Sequence, residues 1–208
     1  MIQPEKFYQA LANEDITFFA GVPDSLLKNL CAYITDHTDP RNNIIAANEG
    51  CAVGLEAGYH LATGKIPAVY MQNSGEGNVV NPLMSLTDKD VYHMPLLLII
   101  GWRGEPGVHD EPQHVKQGKV TLPLLDAMGI EHTTLSADEN EAEQQVRHAA
   151  ERMRETGEAY ALVIRKGTFA DYKLINTVAD ESQLTREKAI QMVAEAMDSR
   201  AAAVSTTG

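Results

Sequence analysis

The stretch MPLLLIIG, residues 94–101, is apolar at every position up to its closing glycine. A strand with one wet face alternates apolar and polar side chains, so a short run without alternation belongs to a strand covered on both sides. Similar texture recurs in ITFFAG (16–21), NIIAA (43–47), KIPAVYMQ (65–72) and YALVIRKG (160–167), and a further strand is expected at residues 130–134. Helical patterns fill the gaps. PEKFYQALAN (4–13) opens on proline and places Phe7, Ala10 and Leu11 on one face. VPDSLLKNLCAYI (22–34), NEGCAVGLEAGYHLATG (48–64), GEGNVVNPLMSLTD (75–88), residues 118–128 and residues 138–155 read as further helices. In the last of these Val146, Ala149, Ala150 and Met153 form the buried stripe, and Glu143 and Arg147 lie on a solvated face. Strands alternating with helices predict a doubly wound α/β fold with a mostly parallel sheet and helices on both faces. GWRGEPGVHDEPQHVKQG (101–118) has no period and reads as a long loop.

The texture changes after Gly167. Residues 1–168 are expected to form one domain and 169–184 a linker, with 185–208 opening a second domain. There Thr185 caps a helix with the stripe Ile190, Val193, Ala194 and Met197, and AAAVSTTG (201–208) begins a strand. Acidic residues outnumber basic ones, 29 to 17, giving a formal net charge of −12 over 208 residues. Such a surface repels phosphate backbones unless a basic patch is segregated, and the sequence holds none, so nucleic acid is not expected as a partner. No apolar run approaches the roughly 20 residues of a membrane span. The start MIQPEKFYQA has no basic-then-apolar leader, so the cytoplasm is the expected compartment. Cys31 and Cys51 are expected as small buried hydrophobes, neither a disulfide framework nor a metal site.

In open parallel sheets ligands bind beyond the carboxyl ends of the strands. Those ends carry GVPDS (21–25), NEG (48–50), QNSGEGN (72–78), GWRGEPG (101–107) and RKG (165–167). Glu49 follows the run IIAA, with Asn48 placed to cap the next helix. By spacing alone it complements the helix dipole. Gly50, Gly54 and Gly58 line one face behind it, either for close packing on the sheet or for the approach of another backbone or a flat ligand. NSGEGN lacks the third glycine of a dinucleotide fingerprint and reads as a helix cap. His109, Asp110, Glu111 and His114 imitate a metal cluster without a helical frame to support one. The better use of the loop is anion recognition, with Arg103 as a fork donor and His114 as a proton donor or shuttle near neutrality.

GVPDSLLK (21–28), AANEGCAVGLEAG (46–58), MQNSGEGN (71–78), GWRGEPGVHDEPQH (101–114) and RKGTF (165–169) together resemble the thiamine diphosphate-dependent decarboxylases of phosphonopyruvate and sulfopyruvate. The resemblance covers essentially residues 1–170. It implies a pyrimidine-binding domain, with VSTTG opening a diphosphate-binding domain. It implies that Glu49 hydrogen-bonds the cofactor aminopyrimidine and sets its tautomer, and that Pro23, Asn73, Gly77 and Asn78 help to hold the cofactor. Asp24, Ser25, Ser74, Arg103 and His114 are then the candidates for the substrate phosphonate and carboxylate, His114 also as a catalytic group. The implied reaction is decarboxylation of 3-phosphonopyruvate to phosphonoacetaldehyde, a step of phosphonate biosynthesis. Sulfopyruvate decarboxylation, or a non-catalytic binding or assembly module, is the alternative. The family pattern of Glu, four residues, Gly, two residues, Gly is met at Glu49 and Gly54, but Ala57 stands at the last place with Gly58 one step later. The Gly-Asp-Gly segment that holds Mg²⁺ and the diphosphate in the family does not occur in these 208 residues. The isolated chain is therefore expected to be inactive. A homodimer or larger homo-oligomer is implied by the resemblance alone.

Overall fold

The computed structural model describes residues 1–176 and 184–203. The chain divides into two units, Met1–Asn176 and Thr177–Gly208. In the first, β1 (Phe19–Gly21), β2 (Asn43–Ile45), β3 (Ala68–Gln72), β4 (Leu97–Gly101), β5 (Glu131–Thr134) and β6 (Tyr160–Ile164) form one sheet in the order β2-β1-β3-β4-β6-β5. Every pairing is parallel, with Phe19 beside both Asn43 and Ala68, Ala68 beside Leu97, and Leu97 beside Tyr160. The expected α/β architecture is present. β1 and β3 are neighbours although the chain visits β2 between them, so the strand order reverses there, the place where such sheets open a crevice.

Alternate side chains of the central strands β1, β3, β4 and β6 feed two cores, which is why those sequences carry no polar beat, whereas the edge strands β2 and β5 are only half-buried. Leu97, Ile99, Tyr160, Leu162 and Ile164 join Phe7 and Leu11 of α1 (Pro4–Asn13), Leu30 and Ile34 of α2 (Lys28–His37), and Val146, Ala149 and Met153 of α6 (Glu139–Thr156). Leu98, Ile100, Ala161 and Val163 join Ala52 and Val53 of α3 (Glu49–Thr63), Val79 of α4 (Glu76–Pro82) and Leu125 of α5 (Pro112–Ala127). Asp138 caps α6 through the amides of Asn140 and Glu141, and Gly157 closes it in the left-handed region. Glu143 and Arg147 pair at 3.5 Å on its wet side. Cys31 packs against the first core, but Cys51 is exposed on the first turn of α3.

Two helix starts differ by several residues from those read in the sequence. The helix expected from Val22 starts only at Lys28, because Asp24 turns the chain. Its Oδ2 accepts from the Leu26 amide at 2.8 Å, and its carbonyl accepts from Leu27. The expected loop 101–118 ends at Glu111, and α5 starts at Pro112, a residue suited to a first helical turn. The early turns of α5 pack through Gln117, Gly118 and Thr121, so they lack the apolar period that marks a helix.

The first unit extends to Asn176, past the boundary expected at 168. Phe169 is buried and bridges Ile2 in parallel, with Ile2 N donating to Thr168 O and Ala170 N to Ile2 O. Asp36 on α2 then accepts from Tyr172 Oη and from the amides of Ile175 and Asn176. In the second unit α7 (Arg186–Ala196) is capped by Thr185, whose hydroxyl accepts from Lys188 N, and its Ile190 and Val193 are exposed. The remainder of the expected linker, 177–183, and most of the strand expected at 201–208 lie outside the described residues. Among the described residues no helix is long and apolar enough to cross a membrane.

Candidate active site

Glu49 opens α3 just past β2, and Asn48 caps it by accepting from Cys51 N at 2.9 Å. The Glu49 side chain is almost covered, only 8% exposed. Its Oε2 accepts from Asn78 Nδ2 at 2.7 Å, which orients the carboxylate and leaves Oε1 with no bond to another described residue. Gly75 forms the floor beneath it, where a Cβ would come within 2.4 Å of the Glu49 carboxyl carbon. Any side chain at position 75 would displace this acid. The glycine face behind Glu49 is used in only one place. Gly50 lies against the Asn78 carbonyl, whereas Gly54 and Gly58 meet nothing within 4 Å, so packing on the sheet does not explain them. Ala57 lies on the buried side of α3.

A second group gathers at the ends of β1, β3 and β4. Asn73 is fully buried and staples β3 to β4: its Nδ2 donates to Arg103 O at 2.8 Å and to Thr121 Oγ1 at 2.9 Å, and its Oδ1 accepts from Arg103 N at 3.1 Å. Both Nδ2 hydrogens of Asn73 are taken up in this staple. Arg103 sits beside Asp110, with Nε and Nη2 donating to the two carboxylate oxygens at 2.8 and 2.6 Å and Nη1 to Ser25 Oγ at 3.0 Å. It is thus not the free fork expected from the sequence. Its remaining N–H groups alone can meet a further anion. Asp24 is buried beside Gly101, its Oδ1 has no partner, and burial pushes its carboxyl above the usual range despite the nearby Arg103. Pro23, Ser25, Ser74, Gly77 and Asn78 are exposed around these two groups, and Gln72 Nε2 donates to Ser74 Oγ at 2.7 Å. His114 lies in the first turn of α5, its carbonyl pressed against Gly104, which takes a φ of +68° where a Cβ would collide.

Three residues escaped the sequence reading. Asp110 entered it only as part of a metal imitation, whereas here it holds Arg103 and also accepts from the Gly104 amide at 2.8 Å. Arg103 keeps the Asp110 carboxyl far below the usual carboxylate range, so the pair stays charged throughout the neutral range. Gln117 donates to Asn73 O at 2.7 Å, and Thr121 completes the staple, both from a helix whose start has no apolar signature. We expect Asp110→Ala to cost about 1–3 kcal/mol, or about 3–10 °C in Tm, because it strips partners from Arg103 and Gly104. Thermal melts, with faster hydrogen exchange at Gly104, check this.

Residues 4–130 match the model described as thiamine pyrophosphate enzyme, N-terminal TPP binding domain. The chain is 30% identical over 224 aligned residues to phosphonopyruvate decarboxylase of Streptomyces viridochromogenes, covering 100% of this chain and 55% of that protein. It is 39% identical over 123 residues to sulfopyruvate decarboxylase subunit alpha of Methanocaldococcus jannaschii, covering 59% of this chain and 70% of the relative. The chain thus spans about half the length of the phosphonopyruvate decarboxylases it matches. In fold it is similar to a thiamine diphosphate-dependent 4-hydroxybenzoylformate decarboxylase of Rhodococcus jostii RHA1. The TM-score is 0.61 at 17% identity, over 92% of this chain and 36% of the other. The carboxylate opening α3 and strands β1 to β4 fall inside residues 4–130, and the chain belongs to the thiamine pyrophosphate enzymes, carrying their N-terminal TPP binding domain.

Proposed function

We propose that this chain provides the pyrimidine-binding half of a thiamine diphosphate-dependent 2-oxo acid decarboxylase, with 3-phosphonopyruvate as substrate. The observation that carries the reading is Glu49, a nearly covered carboxylate with one oxygen pinned by Asn78 and the other left to meet a ring nitrogen. The donor set fits an aminopyrimidine, since the Gly75 floor keeps the acid at the helix start and Gly54 and Gly58 leave the adjoining face of α3 open. Bound thiamine diphosphate supplies the electron sink that decarboxylation of a 2-oxo acid requires. Glu49 holds a proton at the ring nitrogen, Asn78 fixes the angle of the carboxylate, and the Asn73–Arg103 staple keeps the ends of β3 and β4 at a set distance. Arg103, already neutralised in part by Asp110, and the Ser25 hydroxyl present the polar wall for a phosphonate. His114 stands on the next helix as the candidate proton donor. Mg²⁺ and the diphosphate are assigned to residues beyond this chain. A second subunit is assigned to the exposed face of α3, where Leu55 and Leu61 are exposed beside Gly54 and Gly58. Exposed Cys51 suits a reducing cytoplasm.

Sulfopyruvate is the second reading, favoured by the higher identity to subunit alpha, whereas the alignment to phosphonopyruvate decarboxylase runs through the whole chain. Steady-state kcat/KM on phosphonopyruvate and sulfopyruvate, with the full-length protein, Mg²⁺ and cofactor, decides between them. We expect phosphonopyruvate to be preferred at least tenfold, about 1.4 kcal/mol of discrimination. A preference for sulfopyruvate, or turnover of neither, overturns the assignment.

A further inference from the structure

Glu76 lies in the first turn of α4, directly after the glycine that supports Glu49, and is fully buried. Its Oε2 accepts from Gln117 Nε2 at 3.2 Å, and the Thr121 hydroxyl, which donates to Gln117 O, lies beside it. Its Oε1 is buried without a partner. Gln117 uses the same nitrogen to hold Asn73 O, and Thr121 is the residue that receives Asn73 Nδ2. The acid thus stands behind both α5 side chains that grip the Asn73–Arg103 staple.

We propose that Glu76 is a positioning residue: it locks α5 onto the 73–75 turn, so that the Asn73–Arg103 staple keeps its place, and the lock opens when Glu76 ionises. The groups facing the carboxyl from α5, Gln117 and Thr121, are uncharged. From α3 the Glu49 carboxyl reaches Gly75, next in the chain to Glu76, and from the end of β4 Arg103 turns its guanidinium to Asp110. No cation is bonded to Glu76 among the described residues, and burial pushes its carboxyl up to about 8. In the neutral acid no charge is buried and Oε2 takes the Gln117 amide. In the anion a buried charge is left with that one donor, which Asn73 O shares, and separating α5 from α4 lets water reach it.

Trp102, the single tryptophan of the chain, reports the docking without substrate or cofactor. Its indole donates to Gly118 O on α5 at 2.8 Å, next to Gln117, and the ring is buried. Emission of the 208-residue chain is to be followed from pH 6 to pH 10. The wild type is expected to red-shift with a midpoint near pH 8, and Glu76→Gln, which keeps the shape and the hydrogen bonds, to lose that transition. The carboxyl ¹³C titration of Glu76 in the wild type needs no variant and should share the midpoint. A flat wild-type profile, an unchanged transition in Glu76→Gln, or a Glu76 carboxyl titrating below pH 6 overturns the proposal. None of these readings depends on decarboxylation, so their failure is distinct from failure of the proposed function.

Discussion

Glu49→Gln in the full-length protein is expected to lower kcat/KM by about 10²–10⁴, with most of the loss in kcat, because it removes a proton-holding group while leaving the binding surface in place. The glutamine amide matches the carboxylate in size, sits over the same Gly75 floor and can still accept from Asn78 through its oxygen. What it cannot do is share a proton with a ring nitrogen as an anion does. The fold should be indifferent, since Glu49 holds together no element beyond its contact to Asn78, so a melt within about 1 kcal/mol of wild type is expected. Kinetics at saturating cofactor and Mg²⁺, with calorimetric titration of the cofactor, separate loss of chemistry from loss of binding. A variant that keeps a third or more of the activity ends the assignment of Glu49 and, with it, the proposed reaction.

Glu56→Met is expected to stabilise the chain at pH 7 by about 3 kcal/mol, or about 6–12 °C in Tm. Glu56 lies two turns along α3 from Glu49 with no exposed surface, and neither carboxyl oxygen reaches a hydrogen-bond partner. Burial pushes its carboxyl up to about 10, a rise that the Ala20 main chain offsets in part. The phenol of Tyr70, bonded to Asn43, is the titratable group that faces it from β3, and a charged Glu56 makes that phenol harder to ionise. The sign follows from proton binding. Between the ordinary carboxylate value near 4.5 and about 10, the folded chain keeps a proton that the unfolded chain releases. Stability is therefore greatest below the lower value, falls as pH rises through that interval, and levels off above it. Methionine fills the space with no group to desolvate. Its advantage should be small near pH 5 and grow toward pH 9. Denaturant unfolding at those two pH values tests this, and a pH-independent gap or a less stable methionine variant contradicts it.

These two acids show where reading the sequence stopped. The strands were legible because a parallel sheet covered on both sides leaves no room for a polar beat, and Leu97–Gly101 keeps its continuous apolar run through both cores. The start of α5 was not, since it docks through an amide, a glycine and a threonine that look like loop residues. Asn73 and Arg103 stood out at strand ends, but their bonding to each other depends on β3 and β4 being neighbours, a fact of topology. Glu56 and Glu76 gave no signal at all. A glutamate in a helix is ordinarily read as wet, and only the packing of α3 and α4 under their neighbours encloses these two.

The parallel bridge between Ile2 and Phe169 brings the start of the first unit beside the point where the chain is about to leave it. A body whose entry and exit touch behaves like a bead with a clasp: it can be carried inside a longer polypeptide, duplicated, or exchanged between assemblies without bending its sheet. The cost is that trimming the first residues also strips Phe169 of its bridge and leaves the exit held by Asp36 alone, so the two ends are inherited as one piece.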